Sequence, residues 1–583
     1  MPRNCQGFCT ACLRDGLKCN RGKPHCRNCL KRGSKCSYVF ELRWGGRRSK
    51  GNAKSSAIPN TKLVKGTMVV KDRNMIASRG SQTVKQFLLY DEKCSGDLEI
   101  VEKPMGEKVG QISFCLPTEN IPKIQDYMIE CCNPNPGIPL SGIPNFAELF
   151  NEFGENWSEF WTLFTLFVNE TSQFFIGLNS QERPNPYRTI LPGMALSSPT
   201  LLKLLVAFGA KHRKMLGVLE EETMFQSLED SGHTLMDFES VGENLLRQSL
   251  EEVSEKLSQP FDCLDDCTLA IVLLISNLHI FSGEGGGGWR THYNGAKMVA
   301  LRLKANDKRE GRVIPYKWDP HPHFFVLRWF IYLAVIGCLS SARFSYGFEE
   351  TNTLEFDFGF EKDFSWDENM MKNFEDINPF NGMDHAVLAY LTEVSQLIMQ
   401  KKYYESSRKY ELIDEAIKLD YKILNYLKTS EHRRDQLLQS HILHNESPHN
   451  SRIQNYDLLR NTNLIIGLTG VLQLRRRVVE LSQDSELVKE LVLRITNLII
   501  LRIPLHSSAL CSILFCLFTV GCELVDDRMI DYRKGYLDRL DALWRKGFKN
   551  ASQAAKIMKE SWRLKKAWWI LLEERNLDIC LAL

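Results

Sequence analysis

The feature that most constrains this 583-residue chain is a duplicated cysteine pattern near its N-terminus. The spacing is C-x2-C-x6-C-x6-C-x2-C-x6-C, so the half in residues 9–19 recurs in residues 26–36. The filling repeats as well, because residues 13–18 align with residues 30–35. The pattern predicts one site built from two related halves, with six candidate ligands: Cys9, Cys12, Cys19, Cys26, Cys29 and Cys36.

Thiolates at this spacing suit tetrahedral zinc, because a C-x2-C pair lets two sulfur atoms point at one ion from a turn or helix start. Six ligands are too few for two separate four-coordinate ions, so two cysteines must bridge. The repeat assigns this role to the first cysteine of each half, Cys9 and Cys26. We therefore predict two zinc ions per chain. The alternatives are an iron-sulfur centre or six independent thiols. Cys5 lies outside the repeat and is expected to be a free thiol.

The first 54 residues are strongly basic and are called the head below. They hold 14 Lys and Arg against only Asp15 and Glu41, a net charge of +12, whereas the whole chain carries +3. The rest of the chain is therefore mildly acidic. A short basic head on an acidic body indicates a polyanionic partner, of which nucleic acid is the commonest.

Other patterns argue against a secreted, membrane-spanning or enzymatic protein. The N-terminus has no apolar signal core, so the thiols are expected to stay reduced. Residues 329–339 are too short to span a membrane, and residues 503–522 contain Pro504 and several serines, so a buried core helix is predicted there. There is no G-x-S-x-G or kinase signature, and the glycine run in residues 283–288 is interpreted as an interhelical loop.

Two histidine pairs have metal-like spacing but lack supporting cysteines. These pairs are His321 with His323 and His441 with His444. We interpret all four as core or solvated histidines, because no HExxH pattern accompanies them.

The body is predicted to be all α-helical. Residues 269–275 are apolar on all sides and follow two possible capping residues, Asp265 and Asp266. Two apolar stripes step by three and four residues: Leu412, Ala416, Leu419, Ile423, Leu427; and Leu487, Leu491, Ile495, Leu498. The predicted fold is mainly α, with a zinc module in residues 1–45, a basic segment and linker in residues 46–119, and a large all-α regulatory domain in residues 120–583.

The cysteine spacing, with Pro24 between the halves and residues 38–44 after them, resembles that of the fungal binuclear zinc cluster transcription factors. The body is similar to the fungal-specific transcription factor domain through four short motifs: Leu191-Pro192, Ser198-Pro199 with Leu201-Leu202, Trp289-x2-His292-x2-Gly295-Ala296, and Phe518-x2-Gly521-Cys522-Glu523.

The resemblance implies a nuclear, sequence-specific regulator of genes transcribed by RNA polymerase II, with no enzymatic activity. Its zinc module would place a short helix against double-stranded DNA. Transcription machinery or co-regulators would be its other partners. The resemblance also permits a small-molecule effector and a homodimer, and it implies no membrane partner.

The chain departs from this family between its second and third cluster cysteines. Members usually carry a basic run there, roughly Arg-x-Arg-Lys-x-Lys, whereas this chain places Asp15 and Gly16 at the positions expected to read bases. Arg14 could contact guanine in place of the missing basic residues. The other basic residues of the head suit contacts to the DNA phosphates. The candidate DNA contacts are Arg14, Lys18, Arg21, Lys23, Lys31, Arg32 and Lys35, and the candidate nuclear import residues are Arg43, Arg47, Arg48 and Lys50.

Residues 344–384 interleave acidic and aromatic side chains, a composition used by activation segments. The alternative is a surface insertion whose aromatic side chains pack on the body. Two other functions stay open for the chain: a DNA-bound scaffold of chromatin or kinetochore type, or a metabolite-sensing body with a weakened DNA-binding head.

Overall fold

The computed structural model describes residues 12, 26–32, 157–178, 185–224, 238–258, 264–283, 287–312, 321–342, 368–403, 409–443 and 451–582. The chain divides into two units, with the boundary between Val70 and Lys71. In the N-terminal unit, helix α1 spans Arg27–Arg32. The predicted linker of residues 46–119 lies outside the described residues.

In the C-terminal unit the described residues are almost entirely helical, so the predicted fold class is confirmed. The helices are α2 Trp157–Asn169, α3 Pro186–Ala195, α4 Pro199–Met224, α5 Phe238–Ser258, α6 Asp266–Phe281, α7 Gly288–Glu310, α8 Pro322–Ser340, α9 Glu368–Lys372, α10 His385–Tyr403, α11 Lys409–Leu443, α12 Ser451–Gln473, α13 Glu486–Arg502, α14 Ala509–Ser512, α15 Leu514–Cys522, α16 Tyr532–Arg545, α17 Lys549–Leu564 and α18 Trp568–Glu574.

Short elements join some of these helices. Two 3₁₀ turns span Thr171–Phe175 and Asp527–Met529, and a π-helical turn covers Leu474–Val478. Strands β1, Ile377–Asn378, and β2, Met383–Asp384, pair antiparallel before α10.

The centre of the body forms around α6, as its uniformly apolar sequence predicts. Residues 269–275 are all buried because α6 packs against α4, α7, α8 and α17. The helix begins where predicted, since the Asp265 carboxylate accepts a hydrogen bond from the Thr268 backbone N–H at 2.8 Å. This cap satisfies one of the free amides at the helix start. Gly283 and Gly287 lie between α6 and α7, as the interpretation of this run as an interhelical loop requires, whereas Gly288 begins α7 and residues 284–286 lie outside the described residues.

One described helix, α8, is long and apolar enough to cross a membrane by length and composition. However, 83% of its most apolar window is buried inside the body, as in the core helix of a soluble protein. The second apolar stretch, residues 503–522, is not the single core helix predicted. It forms the two short helices α14 and α15 after a loop that contains Pro504, whose ring cannot continue a helix.

The two predicted helical stripes have different outcomes. On α11 all five predicted residues are buried, so that stripe is confirmed. On α13 the stripe is displaced, because Leu487 and Leu498 are only half-buried. The side chains that face the core are instead Val488, Leu491, Val492, Ile495, Thr496 and Ile499. Since α13 carries leucines on two faces, periodicity alone does not identify the buried one.

Three consecutive arginines in the π-helical turn connect separate parts of the body. Arg475 pairs with Asp420 on α11 at 2.7 Å, and Arg476 pairs with Glu523 at 2.9 Å. Arg477 donates to backbone carbonyl oxygens at the end of α8. Glu523 belongs to the Gly521-Cys522-Glu523 motif, so this motif lies in the interior of the body rather than at its surface.

The C-terminus of the described chain returns to the end of α8. The backbone N–H of Leu581 donates to the Ser340 hydroxyl at 3.1 Å, and Asp578 pairs with Arg290 at the start of α7. Helices far apart in sequence therefore share one core.

Candidate metal centre and DNA-binding surface

Three cysteines of the repeat converge in the described part of the head. The sulfur atoms of Cys12 and Cys26 lie 3.5 Å apart, and those of Cys12 and Cys29 lie 4.0 Å apart. All three sulfur atoms lie within 4.8 Å of one another, and all three residues are buried. Cys9, Cys19 and Cys36 lie outside the described residues.

The start of α1 positions two of these thiols. Cys26 precedes the helix, and its carbonyl oxygen accepts the first helical hydrogen bond from the Leu30 N–H at 2.9 Å. The Cys29 backbone N–H donates to the Cys26 sulfur at 3.3 Å. A thiolate at Cys26 therefore satisfies an amide that would otherwise be free at a helix start. The C-x2-C spacing thus brings both sulfur atoms to the same side of the first helical turn.

The geometry of the three thiols fits zinc. Tetrahedral zinc with Zn–S bonds of about 2.3 Å requires sulfur atoms roughly 3.8 Å apart. The 3.5 Å separation between the sulfur atoms of Cys12 and Cys26 is close to that value. Cys26 belongs to the C-x2-C pair with Cys29, and its sulfur atom also lies close to that of Cys12. Among the described residues of the head, the ligand atoms that converge are all thiol sulfurs, which suits a structural site rather than one with an open coordination position.

The outer face of α1 is basic. Cys29 points inward, whereas Lys31 and Arg32 in the last turn are exposed, and Leu30 is 69% exposed. Lys31 and Arg32 therefore lie at the surface, and their contact with DNA stays a prediction. The other candidate DNA contacts lie outside the described residues: Arg14, Lys18, Arg21, Lys23 and Lys35. The nuclear import candidates Arg43, Arg47, Arg48 and Lys50 also lie outside them.

The end of the acidic-aromatic segment is fixed to the body by a buried arginine that the sequence analysis missed. Arg434 on α11 is fully buried and pairs with Asp376 at 2.9 Å and with Asp384 at 2.8 Å. Burial opposes the charge, but Asp376, Asp384 and Glu431 together hold the pKa of Arg434 well above its usual value. A charged residue on the apolar side of α11 was the available signal, since such a residue needs a buried partner.

Phe374 in the same segment packs on the body. Its ring lies 4.5 Å from that of Tyr456 and 4.8 Å from that of His441, centroid to centroid. For residues 368–384, packing on the body is therefore the correct alternative. Residues 344–367 lie outside the described part of the chain.

The histidines with metal-like spacing serve the core or its caps where they are described. His323 is buried, with Nδ1 at 2.7 Å from Asp266 and Nε2 at 2.9 Å from Asp307. The hydrogen bond to Asp266, opposed by burial and aided by Asp307, raises the pKa of His323. His321 caps α8 by accepting a hydrogen bond from the His323 N–H. His444 lies outside the described residues.

The Trp-x2-His-x2-Gly-Ala motif lies on α7 and packs inside the body. Trp289 is 4% exposed, and His292 lies with its Nε2 atom 3.1 Å from that of His279 on α6. These contacts join α6 to α7.

Two family comparisons match most of the chain. Residues 162–582 match the family described as Fungal specific transcription factor domain, and residues 8–44 match the Fungal Zn(2)-Cys(6) binuclear cluster domain. The first match covers more than half of the chain and corresponds to the helical body. The second includes the three converging thiols.

Among individual proteins, the chain is 34% identical over 71 residues to the Monodictyphenone cluster transcription factor of Emericella nidulans (strain FGSC A4). The aligned stretch is 12% of this chain and 16% of that relative, so it spans only a small part of either protein. No solved structure matches the chain.

Proposed function

The chain belongs to the fungal-specific transcription factor domain family and is a DNA-binding transcription regulator, and on this basis we propose that it regulates genes transcribed by RNA polymerase II by reading specific DNA sites in the nucleus. The observation that carries the proposal is the convergence of three buried thiols of the repeat beside an exposed basic helix. The family consists of transcription factors, so we assign the body a regulatory rather than an enzymatic role.

The head is proposed to hold two zinc ions through all six cysteines of the repeat, with Cys9 and Cys26 as bridges. The metal would supply folding free energy rather than catalysis, since so short a segment has little apolar core of its own. Native mass spectrometry of the full chain tests the count. Two zinc ions are expected in the wild type and in Cys5→Ser, and loss of zinc is expected in Cys26→Ser. One zinc per wild-type chain, or an iron chromophore, would reject the assignment.

DNA affinity is proposed to come mainly from phosphate contacts, because Asp15 and Gly16 replace the basic residues that usually read bases. The logarithm of affinity should then fall steeply with the logarithm of salt concentration. Lys18→Ala should weaken binding to all sequences similarly, whereas Arg14→Ala should reduce the preference for one sequence. Equal loss of selectivity in both variants, or no binding at low salt, would contradict these roles.

Nuclear entry is proposed to depend on the second basic run of the head: Arg43, Arg47, Arg48 and Lys50. Replacing all four with alanine in a fluorescent fusion should move the chain out of the nucleus. Replacing the exposed body residues Lys418 and Lys428 instead is the matched control, and equal nuclear accumulation of both variants would reject the role.

The body is proposed to communicate with transcription machinery or co-regulators through residues 344–367, with a small-molecule effector as a further input. The support is that Phe374 and Asp376, which follow this stretch in the sequence, are held on the body. Deletion of residues 347–367 spares this anchor. It should preserve cooperative unfolding and abolish reporter activation. Unchanged activation would reject the regulatory role.

A further inference from the structure

The outer face of helix α17 is strongly basic, although the body as a whole is acidic. Residues 545–566, which include α17 and the residues at its two ends, hold eight Lys and Arg against one acidic residue, Glu560, a net charge of +7. This segment therefore concentrates positive charge on one element of the body.

Three lysines of α17 form a stripe along the helix, called the lysine stripe below. Lys549, Lys556 and Lys559 are all exposed. At about 100° per residue they fall within an arc of about 80°, and they span about 15 Å along the helix axis. The opposite face of α17 is buried, and the helix packs against α15 and α16. The core therefore fixes the direction in which the stripe faces.

The rest of the body does not neutralise this stripe. Within the described residues, none of the three lysines has an ion-pair partner. Glu560 pairs with Arg575 and also lies 3.8 Å from Arg563, so its charge is already compensated. The helix begins without a side-chain cap and without an acidic residue in its first turn. The positive end of its dipole therefore adds to the charge of Lys549.

The composition of this face favours a phosphate backbone over a protein partner. Protein interfaces are built around buried aromatic and apolar anchors, and lysine is depleted in them. Within the described residues, the exposed large apolar side chains of the body all lie on elements other than α17. Duplex DNA carries one negative charge per 1.7 Å of its axis, so a stripe of about 15 Å is matched by about nine phosphates.

We infer that the lysine stripe is a second contact to the double-stranded DNA that the head reads, and that it binds the phosphate backbone of any sequence. The inference rests on the proposed function of the head. Phosphate contacts position a protein on a duplex but carry no sequence information, so the stripe adds affinity and the head supplies selectivity. The same phosphates repel the acidic remainder of the body, which turns α17 towards the duplex. Residues 55–156 separate the head from α2, a length of chain that lets both bind one duplex.

Fluorescence anisotropy of the full chain with a labelled duplex of about 40 base pairs, over a series of salt concentrations, tests the stripe. The double variant Lys556→Ala with Lys559→Ala should reduce the slope of log affinity against log salt by about 2. It should also weaken binding by about tenfold or more at about 0.1 M salt. The matched control is Lys418→Ala with Lys428→Ala, which removes two exposed charges from α11 and should bind like the wild type.

The loss should be equal for two duplexes of unrelated sequence, because phosphates are common to both. Matching thermal unfolding curves would show that the variants remain folded. A double variant that keeps the wild-type slope, or a control that loses as much, would overturn the inference and leave the proposed function of the head intact. A wild type that binds neither duplex at low salt would overturn both.

A labelled peptide of residues 344–367 tests the competing occupant, an acidic polypeptide. The peptide is expected to bind the wild type and the double variant equally weakly. Binding to the wild type that is lost in the double variant, with DNA affinity unchanged, would assign the stripe to an acidic polypeptide and overturn the inference.

Discussion

Acidification from about pH 7.5 to about pH 5 is expected to cost the body about 2 kcal/mol of unfolding free energy through His212 alone. His212 lies on α4 and is 2% exposed. Its Nδ1 atom accepts from the Thr171 hydroxyl at 2.8 Å, and its Nε2–H donates to the Lys546 carbonyl oxygen at 3.0 Å. The rings of Phe174 and Phe281 enclose it edge-on. The neutral imidazole therefore joins the first helices of the body to the loop before α17.

The sign of the effect follows from the direction of the pKa shift. Burial, only partly opposed by the hydrogen bond to Lys546, lowers the pKa of His212 from 6.5 to about 4. The unfolded chain then takes up a proton that the folded chain excludes. The contribution of neutral His212 to the free energy of unfolding is fully present above pH 6.5 and is lost as pH falls towards 4. At about pH 5 the difference in proton binding amounts to about 2 kcal/mol.

Urea unfolding of the full chain at several pH values, followed by tryptophan fluorescence, measures this loss. His212→Gln retains a donor for the Lys546 carbonyl but does not titrate, so its stability should fall less on acidification, by about 2 kcal/mol. His385, whose burial also lowers its pKa to about 4, and His323, whose pKa is raised, act in both proteins and cancel in the difference. Equal pH dependence in wild type and variant would refute the reasoning.

Three further predictions concern single substitutions in the full chain. Arg434→Met should lower the free energy of unfolding by roughly 3–5 kcal/mol, because it leaves buried carboxylates without a counter-charge; a loss below about 1 kcal/mol in urea would contradict it. Gly547→Ala should lower the free energy of unfolding by about 1–3 kcal/mol, because Gly547 has a φ of +92° and an added Cβ would lie 2.8 Å from the His212 ring. Gly217→Ala is the control, and it should cost far less because the space around Gly217 is open. Lys31→Ala should reduce the slope of log affinity against log salt by about 1, measured by fluorescence anisotropy, and an unchanged slope would remove Lys31 from the phosphate contacts.

The sequence was sufficient to predict that cysteines of the head come together and that the body is helical. Repeated C-x2-C spacing has few physical interpretations, and the thiols of Cys12, Cys26 and Cys29 lie together as it requires. Likewise, α6 is apolar on all sides, so it must be buried among other helices, as it is. In both cases one local pattern determines the environment of the side chains.

Long-range pairing could not be predicted in the same way. The stripe predicted on α13 was displaced because two faces of the helix carry leucines, and only the tertiary arrangement selects Val488 and Ile499 for the core. Similarly, Asp376 belongs to a segment whose acidic composition indicates exposure to solvent. Its buried partner Arg434 lies 58 residues further along the chain. The position of Arg434 on the apolar side of α11 indicates that it needs a buried partner, but the local sequence does not identify which residue that partner is.

Selection from random double-stranded oligonucleotides with the full chain tests the central claim most directly, namely that the cysteine cluster makes this chain a sequence-specific DNA-binding protein. The wild type and the Cys5→Ser control should enrich the same short motif, and Cys26→Ser should enrich none. Failure of the wild type to enrich a motif, or recovery of the same motif by Cys26→Ser, would contradict the claim.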